Sequence, residues 1–441
     1  MGSDNKNMPT GRLARLAKMS GLSTAISSSY MVQKVKGVFQ DEEGRARSKM
    51  EAHVRNAERM VETMGNMKGA VMKLGQMLSL GDDAHVPKEF RDVISKLQAS
   101  APTLPFDQVY DAVVANLGGA QPDTVFAHID AEPLAAASLA QAHRARLRTG
   151  EDVVIKIQYP GVADTVTSDL RNLKSMIETS GIVGKRFNLD ETFLEVEEML
   201  AVELDYVQEA DSLEAFARIM ANRPRVAIPR LYRQYCTPRM LVMEYMPGLS
   251  LEEWLAQGPS QAEKDQLGID MVDNFFFSYF NHRMIHADPQ LGNFRFREDG
   301  TIVMLDFGCV KVFDSSFVNG YSELIRATWR QDRPRLLRGL HQMGFIDAPE
   351  PSPLADYLER FANLMMKGFM RDEPSSFIGD EYPAAIKALS LDPILLQGVK
   401  FPRAIIYLDR VHMGNYFLMR RLGVRANFHQ ILRRNVDLEK A

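Results

Sequence analysis

The chain reads as an α+β protein, with a helical N-terminal region, a small mixed α/β lobe and a larger, mainly helical lobe. Three observations predict this. Val61, Met64, Met67, Val71, Leu74 and Leu78 recur every three to four residues, the pattern of a helix that buries one face. Two apolar runs in the middle of the chain, Val153-Val154-Ile155 with Ile157, and Met240-Leu241-Val242-Met243, end at turn residues and read as strands. Beyond about residue 250 the pattern is helical, apart from one strand-like run at Ile302-Val303-Met304-Leu305.

Composition bounds the function. A chain of 441 residues can bury one large core or two to three modest ones, and 45% hydrophobic with 25% charged residues is the balance of a folded globular protein. The net charge of −4 supplies no bulk basic field, so nucleic acid is not an expected partner. The two cysteines, Cys236 and Cys309, match no metal-ligand spacing and offer no disulfide framework, which fits a reducing compartment. Lys6, Arg12, Arg15 and Lys18 lead into serines and not into an apolar core, so the start does not read as a secretory signal. It reads as a solvated terminus, or else as a short basic amphipathic helix through Arg12, Leu13, Arg15, Leu16 and Lys18. No stretch reaches the ~18 to 20 apolar residues of a bilayer span, so membrane contact is expected to be peripheral. The expected location is cytoplasmic, or peripheral on a membrane surface, with an organelle left open.

Four segments follow in order. Residues 1–40 are polar and serine-rich and read as flexible. Residues 41–120 form a helical extension, punctuated by Pro102 and Pro105. Residues 121–248 make the small lobe: Thr149-Gly150 turn into the first strand, Pro160-Gly161 close it, helices are expected at 163–187 and 190–215, and the second strand ends at Glu244-Tyr245 before a Pro247-Gly248 turn. Residues 249–441 make the helical lobe, where Phe275, Phe276, Phe277, Tyr279 and Phe280 read as a buried helix face. No internal repeat or low-complexity tract appears.

Chemistry-bearing residues come in a fixed order. Lys156 ends an apolar strand, a rigid place from which to hold a cation against phosphates. Glu209, on the expected helix 190–215, can pair with such a lysine. His286-Ala287-Asp288 is followed by Asn293 five residues after the aspartate. Asp288 can accept a proton or position a nucleophile, and Asn293 offers a neutral oxygen to Mg²⁺. Asp306-Phe307-Gly308 follows directly on the Ile302–Leu305 strand, 18 residues after Asp288, where a carboxylate can hold Mg²⁺ between phosphates.

Together these residues resemble the protein kinase superfamily, with three departures. Ala135-Ala136-Ala137-Ser138-Leu139-Ala140-Gln141 stands where a glycine-rich phosphate loop is usual, and alanine does not reach positive φ cheaply. Residue 287 is alanine where activation-loop-regulated kinases carry arginine. No Ala-Pro-Glu follows Gly308. The departures are similar to those of the UbiB-type (aarF-domain) atypical kinases. That resemblance rests on Lys73-Leu74-Gly75-Gln76, the alanine-rich loop, Lys156 to Gly161, Glu203-Leu204-Asp205, His286 to Pro289, Asn293-Phe294 and Asp306 to Gly308, and covers roughly residues 40–425.

The resemblance implies a bilobal protein-kinase-like fold whose N-terminal extension folds over the active site. It implies that Lys73 and Gln76 reach the nucleotide pocket, with Lys73 engaging Glu203 or Asp205. Residues two apart on a straight helix point about 160° apart, so if both acids serve Lys73 the helix must bend or end there. Asp205 and Glu209, four apart, are expected to share a face, with Glu209 paired to Lys156. Ala135, Ala136, Ala137 and Ser138 are expected against the phosphates. Met243, Glu244 and Met246 resemble the hinge whose backbone reads adenine. Asn293 and Asp306 are expected to hold Mg²⁺, and Asp288 to sit at the base position. The implied activity is that of an atypical kinase or ATPase using ATP (or ADP) and Mg²⁺ on a small or lipid-like molecule in ubiquinone biosynthesis. The implied partners are a membrane surface and a quinone-biosynthesis complex. A nucleotide-gated scaffold without turnover is the competing reading.

Overall fold

The computed structural model describes residues 104–136, 139–180, 189–376, 381–397 and 401–439. Expectations for residues 1–103, Lys73 and Gln76 among them, and for Ala137 and Ser138, lie outside the described residues. The chain divides into two compact units, residues 1–207 with 232–243, and residues 208–231 with 244–441.

The first unit is built on an antiparallel sheet. Helix α1 (Phe106–Asn116) precedes strands β1 (Phe126–Ile129), β2 (Ala135–Ala136), β3 (Ala140–Leu147) and β4 (Asp152–Gln158). Helices α2 (Val162–Ser180), α3 (Leu189–Glu203) and α4 (Tyr206–Met220) follow, α4 crossing into the second unit. Strand β5 (Val226–Ala227) belongs to the second unit, and β6 (Met240–Glu244) completes this sheet in the order β1-β3-β4-β6, with β2 on β3. Strand period is two, so Val153, Ile155 and Ile157 share one face of β4 and pack with Val109 and Val113 of α1, Phe126, Leu147 and Val242. Lys156 lies on the opposite face.

Two expectations are corrected here. Residues 190–215 are not one helix. α3 stops at Glu203, and α4 starts at Tyr206. The physical cause is a side chain from the sheet: the Gln158 amide donates to the carbonyl of Leu204 at 2.7 Å. A carbonyl held from outside favours a chain reversal over another helical turn. Asp205 therefore sits in the break and does not share a continuous helix face with Glu209. Ala135-Ala136, in the segment expected against the phosphates, form a short exposed strand paired as Ala135↔Ala142 and Ala136↔Gln141.

The second unit is mainly helical. Helix α5 (Leu251–Ala256) and the long helix α6 (Gln261–His282) each begin with a capping box, Ser250 with Glu253 and Ser260 with Glu263, which satisfies backbone N–H groups otherwise orphaned at a helix start. α6 ends where Arg283 turns left-handed at φ 55°. Of the aromatic run expected as a buried face, Phe275, Phe276 and Tyr279 on α6 are buried, while Phe277 and Phe280 are half-buried. Four strands follow: β7 (Met284–His286), β8 (Phe294–Phe296), β9 (Ile302–Met304) and β10 (Val310–Val312). β10 pairs antiparallel with β7, while β8 and β5 flank β9. Helices α7 (Ser315–Arg330), α8 (Arg333–Gln342), α9 (Pro353–Met366), α10 (Glu381–Ser390), α11 (Arg403–Leu422) and α12 (Phe428–Asn435) complete the unit, with the short strand pair β11 (Ser375–Ser376) and β12 (Arg425–Ala426). Among the described residues no helix is long and apolar enough to cross a membrane.

Candidate functional site

In the second unit the strand ladders bring the acidic motifs together. β7 pairs with β10, and Ala287 N–H donates to Cys309 O at 2.8 Å, so the Asp288 loop is tied to the segment after Asp306. Phe294 pairs with Met304, and Leu305 N–H donates to Asn293 O at 2.9 Å, so Asn293 and Asp306 leave neighbouring strands side by side. His286 closes the arrangement by donating from Nε2 to the backbone carbonyl of Asp306. The rings of Phe216, His286, Phe294 and Phe307 pack around this link, with Phe307 5.6 Å from both Phe216 and His286 between ring centroids. Such a cluster holds the His286 ring in one orientation.

The polar atoms have defined roles. Asn293 Nδ2 donates to Asp288 Oδ2 at 2.8 Å, which leaves the Asn293 amide oxygen as the atom able to meet a cation. Gly308 N–H donates to Asp306 Oδ1 at 2.9 Å and orients that carboxylate. A side chain at residue 308 would lie 3.2 Å from Asp306 Oδ1 and 3.6 Å from Glu209 Oε2, so the glycine sits between two carboxylates. Glu209 is only 2% exposed. Among the described residues no group of three or more His, Cys, Asp or Glu side chains is arranged to hold a metal by itself. One asparagine oxygen and one carboxylate fit Mg²⁺, which takes few protein ligands and completes its shell with phosphate oxygens and water.

One residue escaped the sequence reading. Arg410 on α11 reaches Asp288, Nη2 to Oδ1 at 3.4 Å, with both side chains about one quarter exposed. The helix is seated tightly here: a methyl group on Gly414, one turn further on, would meet Pro289 Cβ at 2.2 Å. Position 287 carries alanine, and the guanidinium beside Asp288 comes from 122 residues away. No local motif marks it.

The first unit positions Lys156, whose ammonium lies 5.2 Å from the centre of the Tyr206 ring, a cation–π distance. The neighbouring Gln158 holds the Glu203–Asp205 break through Leu204 O, so β4 carries the lysine and anchors the acidic motif together. Glu244, at the end of β6, has both groups engaged: its N–H donates to Arg230 O at 2.8 Å, and its carboxylate accepts from Arg230 N–H at 3.1 Å.

Comparisons with known proteins identify the family. The model of the ABC1 atypical kinase-like domain matches residues 96–339. The chain is 29% identical over 400 residues to "Atypical kinase COQ8B, mitochondrial" of Rattus norvegicus, covering 90% of this chain and 74% of that protein. It is 27% identical over 434 residues to "Atypical kinase COQ8, mitochondrial" of Schizosaccharomyces pombe, covering 97% and 70%. Among solved structures, the complex of Rv3197 with erythromycin from Mycobacterium tuberculosis superposes with a TM-score of 0.60 at 22% identity, over 91% of this chain and 100% of that one, and shares the fold. The order Lys156, Glu203/Asp205, Asp288, Asn293, Asp306 runs through the matched region, and the chain belongs to the ABC1 (UbiB/aarF) family of atypical kinases.

Proposed function

We propose that this chain binds ATP with Mg²⁺ and turns it over, as an ATPase or as a kinase of a small or lipid-like molecule, in support of ubiquinone biosynthesis. One observation carries the reading: Asn293, oriented by Asp288, and Asp306, oriented by Gly308, leave adjacent strands next to the buried carboxylate of Glu209. In this reading Asn293 Oδ1 and Asp306 hold Mg²⁺, which supplies neutralisation of the phosphate charge when bound. Lys156 holds the phosphates. Glu244 N–H is engaged by Arg230, so contact with adenine falls to the Glu244 carbonyl and the Met246 N–H. ADP occupies the same pocket.

A second reading, a nucleotide-gated scaffold that binds lipid or a protein complex without turnover, draws on Asp288. Asn293 and Arg410 engage its two oxygens, one each, which limits it as a base. Arg410 is 3.4 Å away and partly exposed, a weak contact that a substrate can displace, and this favours the enzyme. The test is phosphate release from ATP by the parent and by Asp306→Asn, with and without anionic liposomes and phenolic quinone-precursor analogues. Steady release that Asp306→Asn abolishes supports the enzyme; binding without release in every condition supports the scaffold.

A further inference from the structure

We propose that Arg295 is a specificity-determining residue of the nucleotide site, and that its guanidinium holds the phosphate nearest the sugar, the group that ATP, ADP and AMP share and adenosine lacks. The inference rests on the nucleotide reading above and adds to it a contact that does not depend on Mg²⁺. β8 positions the residue. Phe294 and Phe296 are 4% and 1% exposed, so the strand's period of two puts Arg295 on its other face, with Arg297 two residues on. That face meets the chain that follows β6. A methyl group on Gly248 would lie 2.7 Å from Arg295 Cβ, and Leu249 and Phe296 exchange backbone hydrogen bonds at 2.9 and 2.8 Å. Asn293, the proposed Mg²⁺ ligand, stands two residues before Arg295, or about 7 Å along an extended chain. A nucleotide whose base lies at Met246 and whose Mg²⁺ lies at Asn293 passes Arg295 on the way, where the sugar gives way to the first phosphate.

The guanidinium is already anchored. Nη1 donates to the Gly292 carbonyl at 3.0 Å and to the Phe294 carbonyl at 2.8 Å, and two backbone acceptors fix the group before any ligand arrives. Nε and Nη2 bond to no described residue. They form the parallel pair of donors that matches two oxygens of a phosphate, and a charge fixed by the protein holds that phosphate with or without a metal. The neighbouring charges leave this edge to a ligand. Glu253 on α5 feels the Arg295 charge, but one of its carboxylate oxygens accepts from the Ser250 N–H and hydroxyl at 2.8 Å each, and it forms no ion pair with Arg295. Arg297 turns its own Nε to the Pro247 carbonyl at 3.3 Å and its Nη2 to Met246 Sδ at 4.0 Å. Of the two arginines, Arg295 is therefore the one whose fork is left for a phosphate.

Calorimetric titration of adenosine, AMP, ADP and ATP into the full chain, with a chelator in place of Mg²⁺, tests the contact. The parent is expected to bind AMP about tenfold or more tightly than adenosine, the value of hydrogen bonds to a charged group. Arg295→Met keeps the Cβ beside Gly248 and an apolar stem but removes the fork. It is expected to weaken AMP, ADP and ATP by one common factor, about tenfold or more, and to leave adenosine unchanged. The gain in ATP affinity on adding Mg²⁺ should stay as large as in the parent. Arg295→Lys keeps the charge without the fork and is expected to fall between the two. A folded Arg295→Met that binds AMP as the parent does, or that loses adenosine as much as AMP, would overturn the proposal. So would loss of the Mg²⁺ response, because the residue would then act by holding Asn293. The AMP-to-adenosine ratio of the parent needs no variant, and a ratio of one overturns the contact even if Arg295→Met fails to fold. A parent that binds none of the four ligands removes the nucleotide reading itself, a result distinct from all the others.

Discussion

Gly414 offers a mechanical test of how α11 seats against the Asp288 loop. An alanine methyl there would lie 2.2 Å from Pro289 Cβ and 2.7 Å from its Cγ. Carbon atoms rest at roughly 3.5–4.0 Å, so the shortfall is about 1.3–1.8 Å. A proline ring cannot rotate aside, and the helix or the loop must move by an ångström or more. Arg410, one turn earlier, then loses Asp288, because 3.4 Å is already at the edge of hydrogen-bond reach. Overpacking of this kind costs about 1–3 kcal/mol, and a rigid neighbour puts it in the upper half. Alanine's better helix propensity returns about 1 kcal/mol. The net loss is about 1–2 kcal/mol, equivalent to a fall of roughly 2–8 °C in the melting temperature of a unit of this size. Differential scanning calorimetry of Gly414→Ala measures it. A melting temperature equal to or above the parent's would refute the reasoning, since propensity would have won with no steric cost to offset.

Two further outcomes follow from burial. Asp409 on α11 has its carboxyl pushed up to about 7 by burial, against ~3.9 for a free side chain. The folded protein therefore holds that proton more tightly than the unfolded chain, and the stability it contributes is full below pH ~4 and lost as the pH climbs through 7. Burial holds His412, bonded to the Tyr321 hydroxyl at 2.8 Å, down to about 4, which acts in the opposite sense between pH 4 and 6.5. The difference between Asp409→Asn and the parent isolates the aspartate: the variant's advantage in denaturant midpoint should grow from pH 4 to 7, and a constant difference would contradict it. Phe307→Ala removes a 1%-exposed ring from contact with Phe216 and His286 and should cost about 3–5 kcal/mol in urea unfolding; a loss under about 1 kcal/mol would show that the ring cluster does not hold the Asp306 segment.

The parts of the fold that the sequence reveals are those whose chemistry is local. β4, β6 and β9 are apolar runs and are legible as strands. β3 is not, because Gln141, His143, Arg144 and Arg146 disguise it. Gln141 and His143 are each 1% exposed, and each has one polar atom bonded: Leu104 N–H donates to the Gln141 amide oxygen at 2.6 Å, and His143 Nδ1 meets Asp130 O at 2.9 Å. These partners are remote in sequence. The break between α3 and α4 is hidden for the same reason: the group that captures Leu204 O is Gln158, 46 residues earlier. At the site, Asp288, Asn293 and Asp306 are legible because short strands of fixed length set their spacing: Asp288 lies two residues past β7, Asn293 directly precedes β8 and Asp306 lies two residues past β9. Arg410 is illegible, since an arginine on a helix has no distinguishing pattern until the fold brings Asp288 to it.

The proposed function requires that nucleotide binding depend on both Lys156 and Asp306. Calorimetric titration of ATP into the parent, Lys156→Ala and Asp306→Asn, with and without Mg²⁺, tests it most directly. The parent should bind ATP more tightly with Mg²⁺ present, Asp306→Asn should lose that dependence, and Lys156→Ala should weaken binding by roughly tenfold or more, the value of a contact to a charged group. Two folded variants that both bind Mg²⁺-ATP as the parent does would contradict the account.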